Sequence, residues 1–153
     1  MKYMDFHCDT LTVLQSPQDS LSKNQANVDL ERAKAFSQYV QIFALWKDAK
    51  KVKGSREKEF LKLYGNAVCL LRDVGDIHWC QDKKALSSAI QQNKNCGMLA
   101  IEDLSVMGIL AEEIEKYGIA SVMLTWNYEN EYGYGAVADN GKGLKPKGKK
   151  MVG

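Results

Sequence analysis

The sequence has few of the residues that build disulfide frameworks or metal clusters, with four cysteines and two histidines among 153 residues. The cysteines lack the Cys-x-x-Cys spacing of a zinc knuckle, so we expect free, mostly buried thiols in a reducing compartment. No apolar run approaches the roughly 20 residues of a membrane span, and the polar start of the chain lacks the apolar centre of a signal peptide. We therefore expect a cytoplasmic protein with no membrane partner.

The sequence also lacks an excess of charge of one sign, since 21 basic and 19 acidic residues give a net charge of +2. A cluster of lysines stands near the end of the chain, at Lys142, Lys145, Lys147, Lys149 and Lys150. These lysines are interleaved with glycine, with no aromatic residue between them in the sequence, which is more typical of a solvated loop than of a nucleic-acid surface. We expect no nucleic-acid partner.

Short apolar segments alternate with segments of helical periodicity, within a length that suits one domain. Strands are predicted at 2–7, 38–46, 97–102 and 119–126, and the last three are expected to be buried. Helices are predicted at 29–36, 57–72 and 106–117, with another after Asp82. This alternation predicts an α/β fold with a parallel sheet.

His7 and Asp9 stand two residues apart at the end of the first predicted strand. Alternate side chains of a strand point the same way, so both would lie on one face, and an imidazole with a carboxylate suits zinc. The alternative is that the two residues cap the strand end and bond to loop backbone.

Glu102 ends the strand predicted at 97–102, where its carboxylate should emerge at the edge of the sheet that carries active sites in α/β barrels. There it could bridge two metal ions, or it could cap the following helix, and the spacing favours neither. Tyr128, Tyr132 and Tyr134 likewise could line a pocket or pack within a long loop. The polar segment 127–153 reaches the approach to another helix, so we expect the chain to be incomplete.

Segments along the whole chain resemble, in order and spacing, the N-terminal half of the membrane dipeptidase (renal dipeptidase) family of zinc dipeptidases, with its bacterial, non-membrane members. The matching residues are 7–11, 25–29 with 41–46, 100–102, and 124–127 with Asn130, Ala138-Asp139 and 143–148.

The resemblance implies the N-terminal half of a (β/α)8 TIM-type barrel, with residues 1–153 as a partial catalytic domain. It also implies two zinc ions and dipeptide hydrolysis by a hydroxide that bridges them. His7, Asp9 and Glu102 would bind metal, with Asp9 and Glu102 catalytic. Trp126 and Asn127 would bind substrate.

The sequence departs from the family at three places. Asp103 stands where several members have glycine, and it could crowd the site or pair with a lysine. Trp126 replaces a histidine of the renal enzymes and cannot take a proton. The family's two further metal-binding histidines have no counterpart here, because His78 precedes Glu102 at a position without a ligand role.

Two interpretations remain open. The chain is the N-terminal part of a zinc dipeptidase and inactive alone, or it is a non-catalytic half-barrel that acts only in assembly. An open half-barrel exposes unpaired edge strands, so we expect self-association or pairing with the C-terminal half of the barrel.

Overall fold

The computed structural model describes residues 1–137 and 141–153, so the Ala138-Asp139 part of the resemblance lies outside the described residues. Five strands form one sheet: β1 (Lys2–Cys8), β2 (Gln38–Trp46), β3 (His78–Trp79), β4 (Cys96–Glu102) and β5 (Ile119–Met123). The helices are α1 (Thr10–Val13), α2 (Leu30–Ala33), α3 (Arg56–Arg72), α4 (Lys83–Gln91) and α5 (Pro146–Val152). Two 3-10 segments span Ala49–Lys51 and Leu104–Tyr117.

All strand pairs in the described sheet are parallel, as the alternation of strands and helices predicts. β2 lies between β1 and β4, and the far side of β4 pairs with β3 near its start and with β5 near its end. The carboxyl ends of β1, β2, β4 and β5 therefore meet at one edge of the sheet. This edge is called the carboxyl rim below.

The predicted helix at 57–72 is confirmed as α3, which begins one residue earlier because Ser55 caps it and accepts a hydrogen bond from the Lys58 backbone N–H at 3.2 Å. Its apolar stripe packs on the buried side chains of β2 and β4, in a core that also includes α1 and the longer 3-10 segment. The buried members of this core include Leu11, Phe43, Leu45, Phe60, Leu71, Leu99, Ile101 and Met107.

A smaller apolar cluster joins α4 to the other side of the same two strands. Asp82 caps α4 as predicted, and its carboxylate accepts a hydrogen bond from the Ala85 backbone N–H at 2.7 Å. Cys80 and Cys96 are buried in this cluster, whereas Cys69 is exposed and Cys8 is half-buried. The expectation of mostly buried thiols is thus met by two of the four.

The helix predicted over 106–117 is present as a 3-10 segment, Leu104–Tyr117, which is interrupted at Gly108 and Glu113. Gly108 has φ +57°, and the Ile109 backbone N–H donates to the Glu57 carboxylate of α3 at 3.0 Å. A Cβ atom at Gly108 would lie 1.9 Å from that carboxylate. The segment ends at Gly118, which adopts the left-handed conformation typical of a glycine that ends a helix.

The strand predicted over 119–126 is present as β5, but it ends at Met123 and most of its residues are exposed, so its predicted burial is wrong. Among the described residues no further strand covers it, and an edge strand has neighbours on one side only. β1 is the other edge of the sheet, and its side chains Tyr3, Met4 and Phe6 are exposed. No helix in the described part of the chain combines the length and apolar character that crossing a membrane requires.

Candidate metal centre

The side chains of His7, Asp9 and Glu102 meet at the carboxyl rim. The His7 Nε2 atom lies 3.6 Å from the Asp9 carboxylate and 3.5 Å from the Glu102 carboxylate. One ligand atom from each residue lies within 4.8 Å of the other two, and no other such trio of His, Cys, Asp or Glu occurs among residues 1–137 and 141–153. The geometry therefore groups one residue of an edge strand and one just after its end with a residue from the centre of the sheet.

His7 and Asp9 lie close together, but not because alternate side chains of one strand point the same way, as was predicted. The pairing of β1 with β2 shifts register between Asp5 and Cys8, and the strand ends before Asp9, which has φ −92° and ψ 9°. Asp9 occupies the N-cap position of α1, but its side chain makes no capping hydrogen bond. Asp9 therefore does not cap α1 through its side chain, and its carboxylate faces His7.

Glu102 is the last residue of β4 and lies opposite Trp46, the last residue of β2. The N-cap of the following 3-10 segment is Asp103, whose carboxylate accepts hydrogen bonds from the Ser105 backbone N–H at 3.0 Å and hydroxyl at 2.6 Å. Because Asp103 performs this capping, the Glu102 carboxylate is left to face His7. The alternative of a capping role for Glu102 is therefore wrong.

Burial raises the pKa of Glu102 above its ordinary value, and the nearby Asp9 charge raises the pKa further. His7 and a hydrogen bond from the Trp126 side chain act in the opposite direction and favour the charged form. Two carboxylates close together in a partly dry site repel each other, which is the situation that a bound cation relieves.

An aromatic wall, defined by Trp46, Trp126 and Tyr128, stands beside Glu102. The ring centroids of Trp46 and Trp126 are 4.9 Å apart with 55° between their planes, and Tyr128 meets Trp126 edge-on at 5.5 Å. Lys50 lies over the Tyr128 ring at 4.6 Å. One of the three tyrosines of the long loop thus belongs to the site, whereas Tyr132 is buried in the core.

A concavity of about 580 Å³ opens beside the metal-ligand group. Its lining includes Asp5, His7, Asp9, Thr10, Val13, Asn27 and Val28. The loop before α2 thus borders the site together with the end of β1, which gives a small molecule room to approach His7 and Asp9 from solvent.

The donor set of His7, Asp9 and Glu102 fits a borderline divalent ion such as zinc, because imidazole nitrogen and carboxylate oxygen are both ordinary zinc ligands. The Asp9 side chain is 55% exposed and that of Glu102 is 15% exposed, so water can complete the coordination of one ion. His78 lies near the start of β4, where its Nε2 atom is 2.9 Å from Lys94 Nζ. It is therefore at the end of the sheet opposite to the carboxyl rim.

The sequence did not indicate that Trp46 belongs to the site, and the expected contacts of Asp103 differ from the observed ones. Only the register of β2 against β4 shows that Trp46 lies beside Glu102, although a tryptophan at the end of an apolar strand was a usable signal. Asp103 was expected to crowd the site or pair with a lysine, but it is bonded to Ser105 and to Asn130. The backbone carbonyl of Asn127, the other residue predicted to bind substrate, accepts a hydrogen bond from the Val137 N–H at 2.9 Å.

The parallel sheet with helices packed on it has the fold of a partial α/β barrel. No family model matches the sequence, and no curated protein matches it significantly.

Solved structures do resemble the chain. A metallopeptidase from Rhodobacter sphaeroides, liganded with a phosphinate mimic of the dipeptide L-Ala-D-Ala, aligns with a TM-score of 0.76 over 99% of this chain and 55% of its own. The dipeptidase AC, a metallopeptidase of family M19, aligns with a TM-score of 0.72 over 97% and 53%, respectively. An amidohydrolase from Pseudomonas aeruginosa aligns with a TM-score of 0.59 over 79% and 36%.

Each of these three structures shares 17% sequence identity with the chain, so the likeness is one of fold. The chain has a metallodipeptidase-like fold and spans about half the length of the two peptidases. The expected partial TIM-type barrel is therefore confirmed.

Proposed function

We propose that the chain is part of a zinc-dependent dipeptidase that cleaves the peptide bond of dipeptides. The observation that carries this proposal is the meeting of His7, Asp9 and Glu102 at the carboxyl rim of a metallodipeptidase-like sheet. The ligand group alone would fit many metal enzymes, and the fold alone fits many reactions. Their combination favours hydrolysis of a small peptide.

His7, Asp9 and Glu102 are the residues that would hold the metal, with Asp9 and Glu102 assigned to the catalytic step. Zinc ions, when bound, activate water for attack on a peptide carbonyl and stabilise the negative charge that develops on its oxygen. Glu102 is the best fixed of the three, because it ends a strand that has neighbours on both sides. Its position between His7 and the sheet centre also supports the predicted role as a bridging ligand.

Trp126 and Asn127 are proposed to contact substrate. Trp126 is half-buried and belongs to the aromatic wall beside Glu102, so its ring offers an apolar surface to a dipeptide side chain. Because an indole can donate a hydrogen bond but cannot accept a proton, Trp126 would orient substrate and leave proton transfer to other groups.

The described ligands suffice for one ion, and a second zinc ion needs ligands from outside this set. We propose that further strands pair with the exposed edges of β1 and β5 and supply them, from a C-terminal half-barrel or from a second copy of this chain. The exposed apolar residues Met4, Phe6, Val122 and Met123 support pairing at these edges. A cytoplasmic location stays a prediction from the sequence.

The alternative function is a non-catalytic assembly fragment. It is favoured by the exposed side chains at both edges of the described sheet. The two functions differ in one property, which is metal binding by the described residues.

The experiment measures zinc bound per chain and the release of amino acids from a panel of dipeptides, for the chain alone and for the chain mixed with the C-terminal half of a similar dipeptidase. We expect the chain alone to bind zinc through His7, Asp9 and Glu102 and to be inactive. The mixture should hydrolyse dipeptides and lose activity with a chelator.

Zinc binding that survives Glu102→Gln unchanged would contradict the assignment of the ligands. Chelator-sensitive hydrolysis by the chain alone would contradict the need for a complementing half. If the chain binds no zinc in any mixture, the assembly fragment is the better description.

A further inference from the structure

Asn130 connects three parts of the carboxyl rim through its side chain. Its amide Nδ2 donates to the Asp103 carboxylate and to the Leu124 carbonyl, each at 2.8 Å. Its Oδ1 accepts hydrogen bonds from the backbone N–H groups of Tyr132 at 2.8 Å and Gly133 at 3.2 Å. Both donors and both acceptor positions of the amide are therefore used, which fixes the orientation of the side chain.

Asp103 holds an unusual backbone conformation immediately after Glu102. Its φ is +74°, which a residue with a side chain adopts only when its surroundings hold it there. The buried carboxylate provides that hold, because Oδ1 accepts from Ser105 and from Asn130 at the same time. These contacts hold the backbone immediately after Glu102, and Asn130 is the partner that reaches Asp103 from a distant part of the chain.

The same contacts determine where Trp126 lies. Trp126 falls between Leu124 and Asn130, the two ends of the loop that the Asn130 side chain closes. Its ring packs against that of Trp46, which lies opposite Glu102 in the sheet. Asn130 therefore bonds to Asp103, which follows Glu102 in the chain, and to the Leu124 carbonyl at the start of the loop that carries Trp126.

We propose that Asn130 is a positioning residue for the metal ligand Glu102, acting through Asp103 and through the loop that carries Trp126. This inference rests on the proposed function, since it requires that Glu102 bind metal. Residues that orient metal ligands without touching the metal typically change metal affinity by about 10–100-fold when they are substituted.

The test compares zinc affinity of the 153-residue chain and its Asn130→Asp variant, measured by competition with a chromophoric chelator. The substitution keeps the size of the side chain but removes both N–H donors and places a second carboxylate against Asp103. We expect about 10–100-fold weaker zinc binding. The visible spectrum of bound Co²⁺ should also change, because it reports the geometry of the ligands rather than the stability of the fold.

Ser105→Ala is the matched control, since it removes a different hydrogen bond to the same Asp103 carboxylate and leaves Asn130 in place. We expect its zinc affinity to stay within about threefold of the wild type, well below the range for Asn130→Asp. The double variant Asp103→Asn with Asn130→Asp exchanges donor and acceptor between these two residues and should recover part of the lost affinity, since the bond to the Leu124 carbonyl is not restored. It also covers the case in which Asn130→Asp alone folds poorly.

Equal zinc affinity in Asn130→Asp and wild type, or no recovery in the double variant, would overturn the positioning role while leaving the proposed function intact. A loss as large in Ser105→Ala would overturn it as well, because the effect would then belong to Asp103 alone. Failure of the wild-type chain to bind zinc would instead overturn the proposed function, and this inference with it.

Discussion

The centre of the sheet and its two edges are built differently. β2 is buried along almost its whole length, and β4 is buried up to Glu102, with helices and 3-10 turns packed against them. β1 and β5 expose most of their side chains. The ligand group spans this boundary, because Glu102 belongs to the centre whereas His7 and Asp9 belong to an edge. The site thus combines one rigid ligand with two whose support is incomplete within the described chain.

The largest difference in the free energy of unfolding is expected between substitutions of two phenylalanines. Phe43 in β2 is fully buried and Phe6 in β1 is 69% exposed. Phe43→Ala should lower the free energy of unfolding by about 3–5 kcal/mol, as expected for a fully buried aromatic side chain. Phe6→Ala should change it by less than about 0.5 kcal/mol, as at most surface positions. Urea denaturation at low protein concentration measures both, and equal losses would show that Phe6 is covered in solution.

The ligands from the two regions should contribute unequally to zinc affinity. Glu102→Gln should weaken zinc binding by more than about 100-fold, beyond the range for residues that only support a ligand. Asp9→Asn should weaken it less, because the Asp9 side chain is more exposed and water can replace one of its oxygens. Competition with a chelator measures both variants. The reverse order of affinities would mean that the edge of the sheet holds the ion.

The free energy of unfolding should depend on pH through Glu57 of α3. Hydrogen bonds from the Ser55 hydroxyl and the Ile109 backbone N–H lower the pKa of Glu57 from 4.5 to about 2. A lowered pKa in the folded state means that this stabilisation is present above pH 4.5 and is lost as the pH falls toward 2.

Glu57→Gln should therefore reduce the free energy of unfolding at neutral pH and converge with the wild type near pH 2. Chemical denaturation of both proteins across this pH range provides the measurement. A difference between them that stays constant with pH would show that the Glu57 charge does not contribute.

The smallest effect on stability is expected at the β5 edge. Met123→Lys should change the free energy of unfolding by less than about 0.5 kcal/mol, because the side chain is exposed. It should nevertheless reduce self-association, since a lysine on an edge strand disfavours pairing with another edge. Sedimentation velocity over a range of concentrations measures the association, and unchanged association would place the contact elsewhere.

The regular elements of the centre were predictable because their patterns are local. The bounds of β2 were predicted correctly from one aromatic and β-branched run, and α3 from the spacing of its apolar residues. The 3-10 segment was not, because its break depends on a hydrogen bond between Ile109 and Glu57, some fifty residues away in sequence. The burial of β5 was overestimated because an apolar strand has the same pattern with and without a neighbour.

The candidate metal site was likewise predictable in part. The sequence predicted the ligand group because all three residues stand at the ends of predicted strands, and parallel strands bring those ends together. Its support depends on register and loop conformation, so neither the contact of Trp46 with Trp126 nor the Asp103–Asn130 hydrogen bond could be derived from spacing.

The contact between Trp46 and Trp126 has a practical consequence. Two indoles at 4.9 Å with their planes inclined at 55° can couple their electronic transitions and contribute a paired signal to the near-ultraviolet circular dichroism. The third tryptophan, Trp79, lies at the opposite end of the sheet, beside Tyr64 and Arg72, and does not share in this coupling. The near-ultraviolet circular dichroism therefore reports, without any added label, whether the strand ends around Glu102 are in place.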